Sequence, residues 1–150
     1  MERVFAAFEE KKIDYLPLKG CIMKGLYPRT ELRMMGDADV LIRLEQYDRI
    51  VPIMQELGFE KKAEDDHHFV WQSDSLCMEL HKCLMEPDLA RQYEYFQDAW
   101  AYAQPVSGTR YELDEESTFA FLFAHFTRHF ASSGIGCRHV VDLWVYLRSH

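Results

Sequence analysis

The hydrophobic positions in the N-terminal part of the chain switch repeatedly between a helical period and a strand period. Apolar residues spaced three and four apart predict amphipathic helices, whereas short apolar runs beside turn residues predict strands. Gly58 directly follows the third helical pattern, where a left-handed residue commonly ends a helix. This part of the chain therefore predicts helices at residues 2–13, 21–27 and 45–57, and strands at residues 15–18 and 37–42.

The C-terminal half predicts further strands and then long helices. Residues 73–75 form a polar turn between two apolar runs, and Asp114 precedes two glutamates as a helix N-cap does. The phenylalanines of the helix that follows Asp114 are expected in the core. Strands are predicted at residues 59–63, 67–72, 76–84, 101–106 and 109–113, and helices at residues 88–96, at residues 115–130 and from Arg138 onward.

These elements predict an α+β fold with a mixed β-sheet flanked by helices. We place the α/β core in residues 1–106 and a helical C-terminal part in residues 107–150, together forming one compact unit. The last helical pattern has no stop signal, which is the pattern expected of a chain that continues.

Three carboxylates interrupt runs that otherwise indicate buried strands. Asp37 and Asp39 begin one apolar run, and Glu79 lies inside another. Because side chains at i and i+2 share a face of a strand, the two aspartates project together, and Glu79 projects with Cys77 and His81. If the two strands are neighbours, the three acids converge on one spot.

Buried like charges repel one another and are costly unless a cation compensates them. Mg²⁺ or Mn²⁺ is the simplest compensation, since hard cations prefer carboxylate oxygen. An isolated Asp-x-Asp is usually a solvated pair, but here it opens an apolar strand and a third acid lies on another strand. The pattern therefore indicates a metal-dependent transferase with Asp37, Asp39 and Glu79 as its catalytic and metal-binding residues.

Composition narrows the class of partner. The formal charge of −8 over 150 residues leaves no electrostatic basis for non-specific nucleic-acid binding or for attachment to an anionic membrane. The four cysteines lack the spacing of a zinc site and are too few for a disulfide scaffold, which favours reduced thiols and a cytoplasmic location. A small-molecule partner is the expectation.

An ordered set of motifs resembles the uncharacterised nucleotidyltransferase family of the DNA polymerase beta superfamily. The resemblance covers nearly the whole chain and is carried by Leu18-Lys19-Gly20, Leu26-Tyr27-Pro28, Arg33, Gly36-Asp37-Ala38-Asp39, Leu57-Gly58-Phe59, Met78-Glu79-Leu80-His81, His125, His129 and the segment from Arg138 to Asp142. It implies transfer of a nucleoside monophosphate (NMP) from a nucleoside triphosphate (NTP) to an acceptor hydroxyl, with release of pyrophosphate. The acceptor is unknown and is either a small molecule or a macromolecule.

The resemblance also implies roles for individual residues. Asp37 and Asp39 would bind two metal ions, and Glu79 would bind the catalytic ion and take the acceptor's proton. A Gly-Ser turn usually holds the triphosphate in this family, whereas this chain has Lys19, Gly20 and Cys21. The backbone amides of Gly20 and Cys21, the Lys19 amine and the Arg33 guanidinium are the expected phosphate contacts.

Two other hypotheses remain at this stage. An Asp-x-Asp glycosyltransferase would have a Rossmann-like first half and would give Glu79 no metal role. A non-catalytic nucleotidyltransferase-like module, such as a toxin–antitoxin component, fits the altered turn at Lys19, Gly20 and Cys21.

The remaining polar candidates receive structural interpretations. His81 is expected to orient Glu79 or the substrate. His67 and His68 are expected to lie at the surface or on an edge strand. Arg138 and Asp142 are expected to form a helix ion pair. His125 and His129 lie one helical turn apart and can share a metal, but no metalloprotease-type Glu lies between them, so packing or polar capping over the cleft is favoured.

Overall fold

The computed structural model describes residues 1–85, 90–132, 134 and 136–150. Short 3₁₀ turns occur at Thr30–Leu32, Leu44–Gln46 and Ala99–Tyr102. The helices are α1 (Glu2–Glu10), α2 (Gly20–Leu26), α3 (Tyr47–Glu56), α4 (Ala90–Phe96), α5 (Glu115–Ser132) and α6 (Cys137–Ser149). The strands are β1 (Tyr15–Pro17), β2 (Asp37–Ile42), β3 (Glu60–Glu64), β4 (His68–Gln72), β5 (Cys77–His81), β6 (Ala103–Ser107) and β7 (Arg110–Leu113).

The strands form one seven-stranded mixed sheet in the order β3-β4-β5-β2-β1-β7-β6. The pairs β2–β5 and β1–β7 are parallel, and the other neighbours are antiparallel. The predicted α+β class is confirmed. Among the strands described, no two that follow each other in the chain pair in parallel, so the sheet lacks the βαβ units that the glycosyltransferase hypothesis requires.

Helices cover both faces of the central strands of the sheet, whereas the edge strands β3 and β6 are largely exposed. On one face α1 and α3 cover a core that includes Phe8, Val40 and Trp71. On the other face Leu41 packs with Phe96 and Phe121 of the later helices. In a third cluster of buried residues, α2 packs against α5 and α6. Its members are Met23, Leu122, Val145 and Tyr146. Because helices cover both faces, β2 is apolar at every position except its two aspartates.

Local sequence signals located most boundaries. Asp114 caps α5, since its carboxylate accepts a hydrogen bond of 2.8 Å from the amide of Ser117. Gly58 has a φ of +83° just after α3, as a C-terminal glycine should. The predicted helix at residues 45–57 begins instead as the 3₁₀ turn that precedes Tyr47. Residues 88 and 89 of the predicted fourth helix lie outside the described residues.

The phenylalanines of α5 divide between the core and the surface, which corrects the sequence-based expectation. Phe121 is buried, whereas Phe123 and Phe130 are 49% and 67% exposed. The sheet also extends past residue 106, because β7 pairs with both β1 and β6. In the part of the chain that is described, no helix combines the length and apolar character needed to cross a bilayer.

Replacement of Gly108 by Ala should weaken the fold. Gly108 has a φ of +56°, and a Cβ there would overlap the Glu9 carboxylate. That carboxylate is anchored, because it accepts hydrogen bonds from the Thr109 amide at 2.9 Å and the Tyr15 hydroxyl at 3.2 Å. We expect the free energy of unfolding, measured in urea, to fall by about 1–3 kcal/mol.

A matched control is Gly25→Ala. Gly25 lies inside α2 with open space where a Cβ would go, so the substitution should raise stability by about 0.5–1 kcal/mol. Equal effects at the two glycines would contradict the structural reason given for Gly108.

Candidate active site

The three predicted acids are positioned by the parallel pairing of β2 with β5. Asp39 lies opposite Glu79 in the register, and Asp37 lies opposite Cys77. Ala38 is completely buried on the other face of β2, so the two aspartates share the face that Glu79 also occupies. The condition on which the sequence-based convergence depended, that the two strands are neighbours, is met.

Asp39 is the most enclosed of the three acids. Its Oδ1 is 2.7 Å from the Lys19 amine and 2.9 Å from Nε2 of His81. Burial by itself raises the pKa of Asp39, but the hydrogen bond from His81 and the charge of Lys19 outweigh it and hold that pKa well below its usual range. Asp39 is therefore an anion at any pH near neutrality.

Asp37 and Glu79 differ in how their charge is compensated. Burial, and then repulsion by Asp39 and Glu79, raise the pKa of Asp37. His81 lowers the pKa of Glu79, and its Nε2 lies 3.6 Å from a Glu79 oxygen. The site thus holds a group of acids whose mutual repulsion the protein's own cations only partly relieve.

Behind Asp39, two histidines form a buried chain. Because a carboxylate can only accept, Nε2 of His81 carries a proton. Nδ1 of His81 shares a hydrogen bond of 2.8 Å with Nε2 of His67. Burial lowers the pKa of His67 to about 3, which keeps the His67 ring neutral.

The histidine chain corrects the interpretation of His67. His67 is buried against His81, and β4 begins at His68 as an internal strand between β3 and β5. His81 itself contacts Asp39 more closely than Glu79, so its expected support of Glu79 is mainly support of Asp39.

The turn before α2 brings Lys19 to the acids through an unusual backbone conformation. Lys19 has a φ of 43° and a ψ of −114°, a region that favours glycine. A non-glycine residue there costs on the order of 1–3 kcal/mol and commonly marks a functional site. The backbone is held by its neighbours, since the Leu18 amide donates to the Asp39 carbonyl at 2.9 Å.

Gly20 lines the cleft beside the acids, whereas Cys21 does not. Gly20 lines the cleft, and a Cβ on it would press on Met35 at 2.9 Å. The amide of Cys21 donates to the Leu18 carbonyl at 2.9 Å, and the Cys21 thiol lies 3.6 Å from the Met1 sulfur. Burial raises the pKa of that thiol to about 12. Lys19 and Gly20 therefore line the cleft over the acids, whereas the Cys21 side chain packs against the core on the far side of the turn.

Arg33 forms a buried ion pair that crosses from the loop before β2 to α6. Its Nε donates to both oxygens of Asp142, at 2.8 and 3.1 Å, and the Tyr27 hydroxyl donates to the same carboxylate at 2.7 Å. Arg33 and Asp142 are each 7% exposed. The expected ion pair between Arg138 and Asp142 is thus replaced by a long-range one.

A cleft of about 390 Å³ lies over the acids. Its walls come from β2 and β5 and from α5 and α6, and they include basic residues that the sequence analysis did not assign to the site. No local pattern in the sequence marks these residues, because α5 and α6 reach the cleft only through packing. The lining is Lys19, Gly20, Arg33, Met35, Gly36, Asp37, Asp39, His67, His68, Glu79, His81, Leu122, His125, Phe126, Arg128, His129, Arg138, His139, Asp142 and Leu143.

The donor set at the acids fits a hard divalent cation. A carboxylate oxygen of Asp39 and one of Glu79 lie within 4.8 Å of each other, and Asp37 lines the same cleft. Carboxylate oxygens are the ligands that Mg²⁺ and Mn²⁺ prefer, and repulsion by Asp39 and Glu79 adds to burial in raising the pKa of Asp37.

Comparison with known proteins decides the family. The sequence profile of the uncharacterised nucleotidyltransferase family matches residues 1–150. The chain belongs to this family. No curated protein sequence is significantly similar to it.

Solved structures place this nucleotidyltransferase-family member in the same fold as the antibiotic-resistance factor ANT(2'')-Ia. Its solution structure superposes with a TM-score of 0.71 at 14% identity, covering 99% of this chain and 80% of that one. The crystal structure of ANT(2'')-Ia in complex with adenylyl-2''-tobramycin gives the same TM-score and identity over 99% of this chain and 86% of the other. The predicted family and fold class are both confirmed.

Proposed function

We propose that the protein transfers an NMP from an NTP to a hydroxyl group of an acceptor and releases pyrophosphate. The observation that carries this proposal is the register that sets Asp39 beside Glu79, with Asp37 two residues away on the same face, inside a cleft. Membership of the nucleotidyltransferase family supports the same reaction class.

In the proposed reaction the acceptor oxygen attacks the α-phosphorus, and the bond from that phosphorus to the β-phosphate oxygen breaks. Asp37, Asp39 and Glu79 would hold Mg²⁺ or Mn²⁺, which neutralises the charge that develops on the phosphate oxygens. Glu79 is the residue proposed to accept the acceptor's proton, since it is the least enclosed partner of His81 and faces the cleft. His81 and His67 fix the orientation of Asp39.

Positive charge around the cleft is proposed to bind the triphosphate. Lys19, Arg128 and Arg138 line it from three different elements. Lys19 is bound to Asp39 at 2.7 Å, so we propose that its amine moves to a phosphate when a cation takes its place on that carboxylate. Gly20 lines the same space, and its amide is a proposed phosphate contact, whereas the Cys21 amide would have to leave the Leu18 carbonyl to contribute. Arg33, held by Asp142, adds charge at the cleft wall.

For the acceptor we propose a hydroxylated small molecule. A net charge of −8 disfavours RNA, which binds proteins through its phosphates. The fold relative ANT(2'')-Ia was crystallised with adenylyl-2''-tobramycin, in which an adenylyl group is joined to a small molecule. At 14% identity this relative suggests a first acceptor panel rather than a specific acceptor.

The test is a transfer assay with each of the four α-labelled NTPs, Mg²⁺ or Mn²⁺, and a panel of aminoglycosides, sugars and nucleosides. We expect pyrophosphate release with one preferred NTP, together with a product whose mass equals the acceptor plus one NMP. UDP-sugars serve as donor controls, and transfer of a sugar from them would overturn the proposal.

A non-catalytic nucleotidyltransferase-like module with a binding or regulatory role is the second candidate, and the contact between Lys19 and Asp39 favours it. That ion pair fills one oxygen of the central acid with a protein cation. Thermal unfolding in the presence of each NTP, with and without Mg²⁺ or Mn²⁺, separates the two candidates. Absence of metal-dependent stabilisation by all four NTPs would support the module.

A further inference from the structure

Three histidines converge where α5 meets α6. His125 and His129 lie one turn apart on α5, and His139 lies in the first turn of α6. Their ring centroids are 4.4 Å apart for His125 and His129, 5.2 Å for His129 and His139, and 6.0 Å for His125 and His139. One ring nitrogen from each lies within 4.8 Å of the other two. The proposed transfer reaction gives this cluster no role.

The environment of His125 and His129 favours their neutral forms, as metal binding requires. Burial lowers the pKa of His125 to about 2, and the nearby charge of Lys19 acts in the same direction. Burial and the neighbouring His139 also lower the pKa of His129. Nδ1 of His139 is buried, and no hydrogen-bond partner for it occurs among the residues that the structure describes. The cluster therefore combines two imidazoles that burial keeps neutral with a third whose buried nitrogen has no described partner.

We propose that His125, His129 and His139 bind a transition-metal ion, with Zn²⁺ as the best-suited ion, that joins α5 to α6 at the wall of the cleft. Imidazole nitrogen suits zinc, whereas Mg²⁺ prefers oxygen, so this site and the acids select different ions within one cleft. Zinc–nitrogen bonds of about 2.0–2.1 Å require donor atoms closer than 4.8 Å, so the proposal includes a rotation of the side chains on metal binding.

Three histidines leave the fourth position of a tetrahedral ion open. All three line the cleft that also contains Asp39 and Glu79, so the open position faces the space where substrates would enter. The ion would therefore both fasten α6 to α5 and present one exchangeable site to the cleft.

The test is titration of metal-free protein with Zn²⁺ in excess Mg²⁺, followed by calorimetry, and with Co²⁺, followed by the visible absorption of tetrahedral cobalt. We expect one tight Zn²⁺ per chain and a rise in the thermal unfolding midpoint. His129→Gln and His139→Gln, one on each helix, should each weaken binding by about a hundredfold or more. Circular dichroism of the metal-free variants verifies that both fold.

Two controls separate this site from the acids. His150→Gln changes a histidine at the end of α6, away from the cluster, and should leave Zn²⁺ affinity unchanged. Asp39→Asn removes a carboxylate of the other candidate metal group and should also leave it unchanged. The proposal is overturned if wild-type protein binds no Zn²⁺, or if binding is lost in Asp39→Asn but kept in both cluster variants. Neither result depends on whether NMP transfer occurs.

Discussion

Asp39→Asn and Glu79→Gln should each reduce NMP transfer by roughly a hundredfold to ten-thousandfold. Metal-assisted stabilisation of the reacting phosphate contributes several kcal/mol, and each 1.4 kcal/mol corresponds to a factor of ten in rate. Asn and Gln keep the shape of the side chain but remove the negative charge that the cation needs. The measurement is the rate of pyrophosphate release with the preferred NTP and acceptor.

The two substitutions should differ in their effect on thermal stability. Asp39 is hydrogen-bonded to both Lys19 and His81, so Asp39→Asn should alter thermal stability as well as activity. Glu79 is more accessible, so Glu79→Gln should leave the unfolding midpoint close to that of the wild type. Glu60→Gln, at an exposed position on β3 of the same sheet, is the matched control and should retain full activity.

Removal of divalent cations should reproduce the loss caused by the substitutions. Excess EDTA should abolish transfer, and Mg²⁺ or Mn²⁺ should restore it to the wild type but not to Asp39→Asn. Full activity of Glu79→Gln would exclude the three-acid mechanism.

Arg33→Met should lower the free energy of unfolding by about 3–5 kcal/mol. The substitution leaves the Asp142 carboxylate buried without its cationic partner, and an uncompensated buried charge is strongly destabilising. Among the residues that the structure describes, only the Tyr27 hydroxyl, at 2.7 Å, would still donate to it. Most domains are stable by only about 5–15 kcal/mol, so urea unfolding should show a large shift of the midpoint.

The double variant Arg33→Met/Asp142→Leu tests the reason for this loss. Replacement of both members of a buried pair by apolar residues is often neutral, so much of the lost stability should return. Lys11→Met, which removes an exposed ion pair with Glu10, should have little measurable effect. Equal destabilisation by the single and double variants would show that packing, not charge, makes Arg33 necessary.

The ion pair between Arg33 and Asp142 could not be predicted from the sequence alone. Arg138 and Asp142 are four residues apart, a spacing that on an isolated helix predicts a pair. In the folded chain Asp142 faces the loop before β2, and a partner 109 residues away in sequence binds it instead. Burial strengthens the pair between Arg33 and Asp142, because little water is present there to screen the attraction between the two charges.

His125 and His129 illustrate a second limit. Their i, i+4 spacing was visible in the sequence, and the lack of a metalloprotease-type Glu between them favoured packing or polar capping over the cleft. The third imidazole, His139, lies beyond the break between α5 and α6. Its distance from the other two depends on how α6 turns back over α5, which helical periodicity does not encode.

The sequence by itself determined the local architecture: the span of β2, the shared face of Asp37 and Asp39, the shared face of Glu79 and His81, and the cap of α5 at Asp114. These features follow from the two-residue period of strands and from hydrogen bonds between near neighbours in the chain. Only the tertiary structure decided that β2 and β5 are parallel neighbours, that Lys19 and His81 both bind Asp39, and that α5 and α6 supply the other wall of the cleft. Those contacts join residues far apart in sequence, and they arise from burying both faces of one sheet rather than from any local pattern.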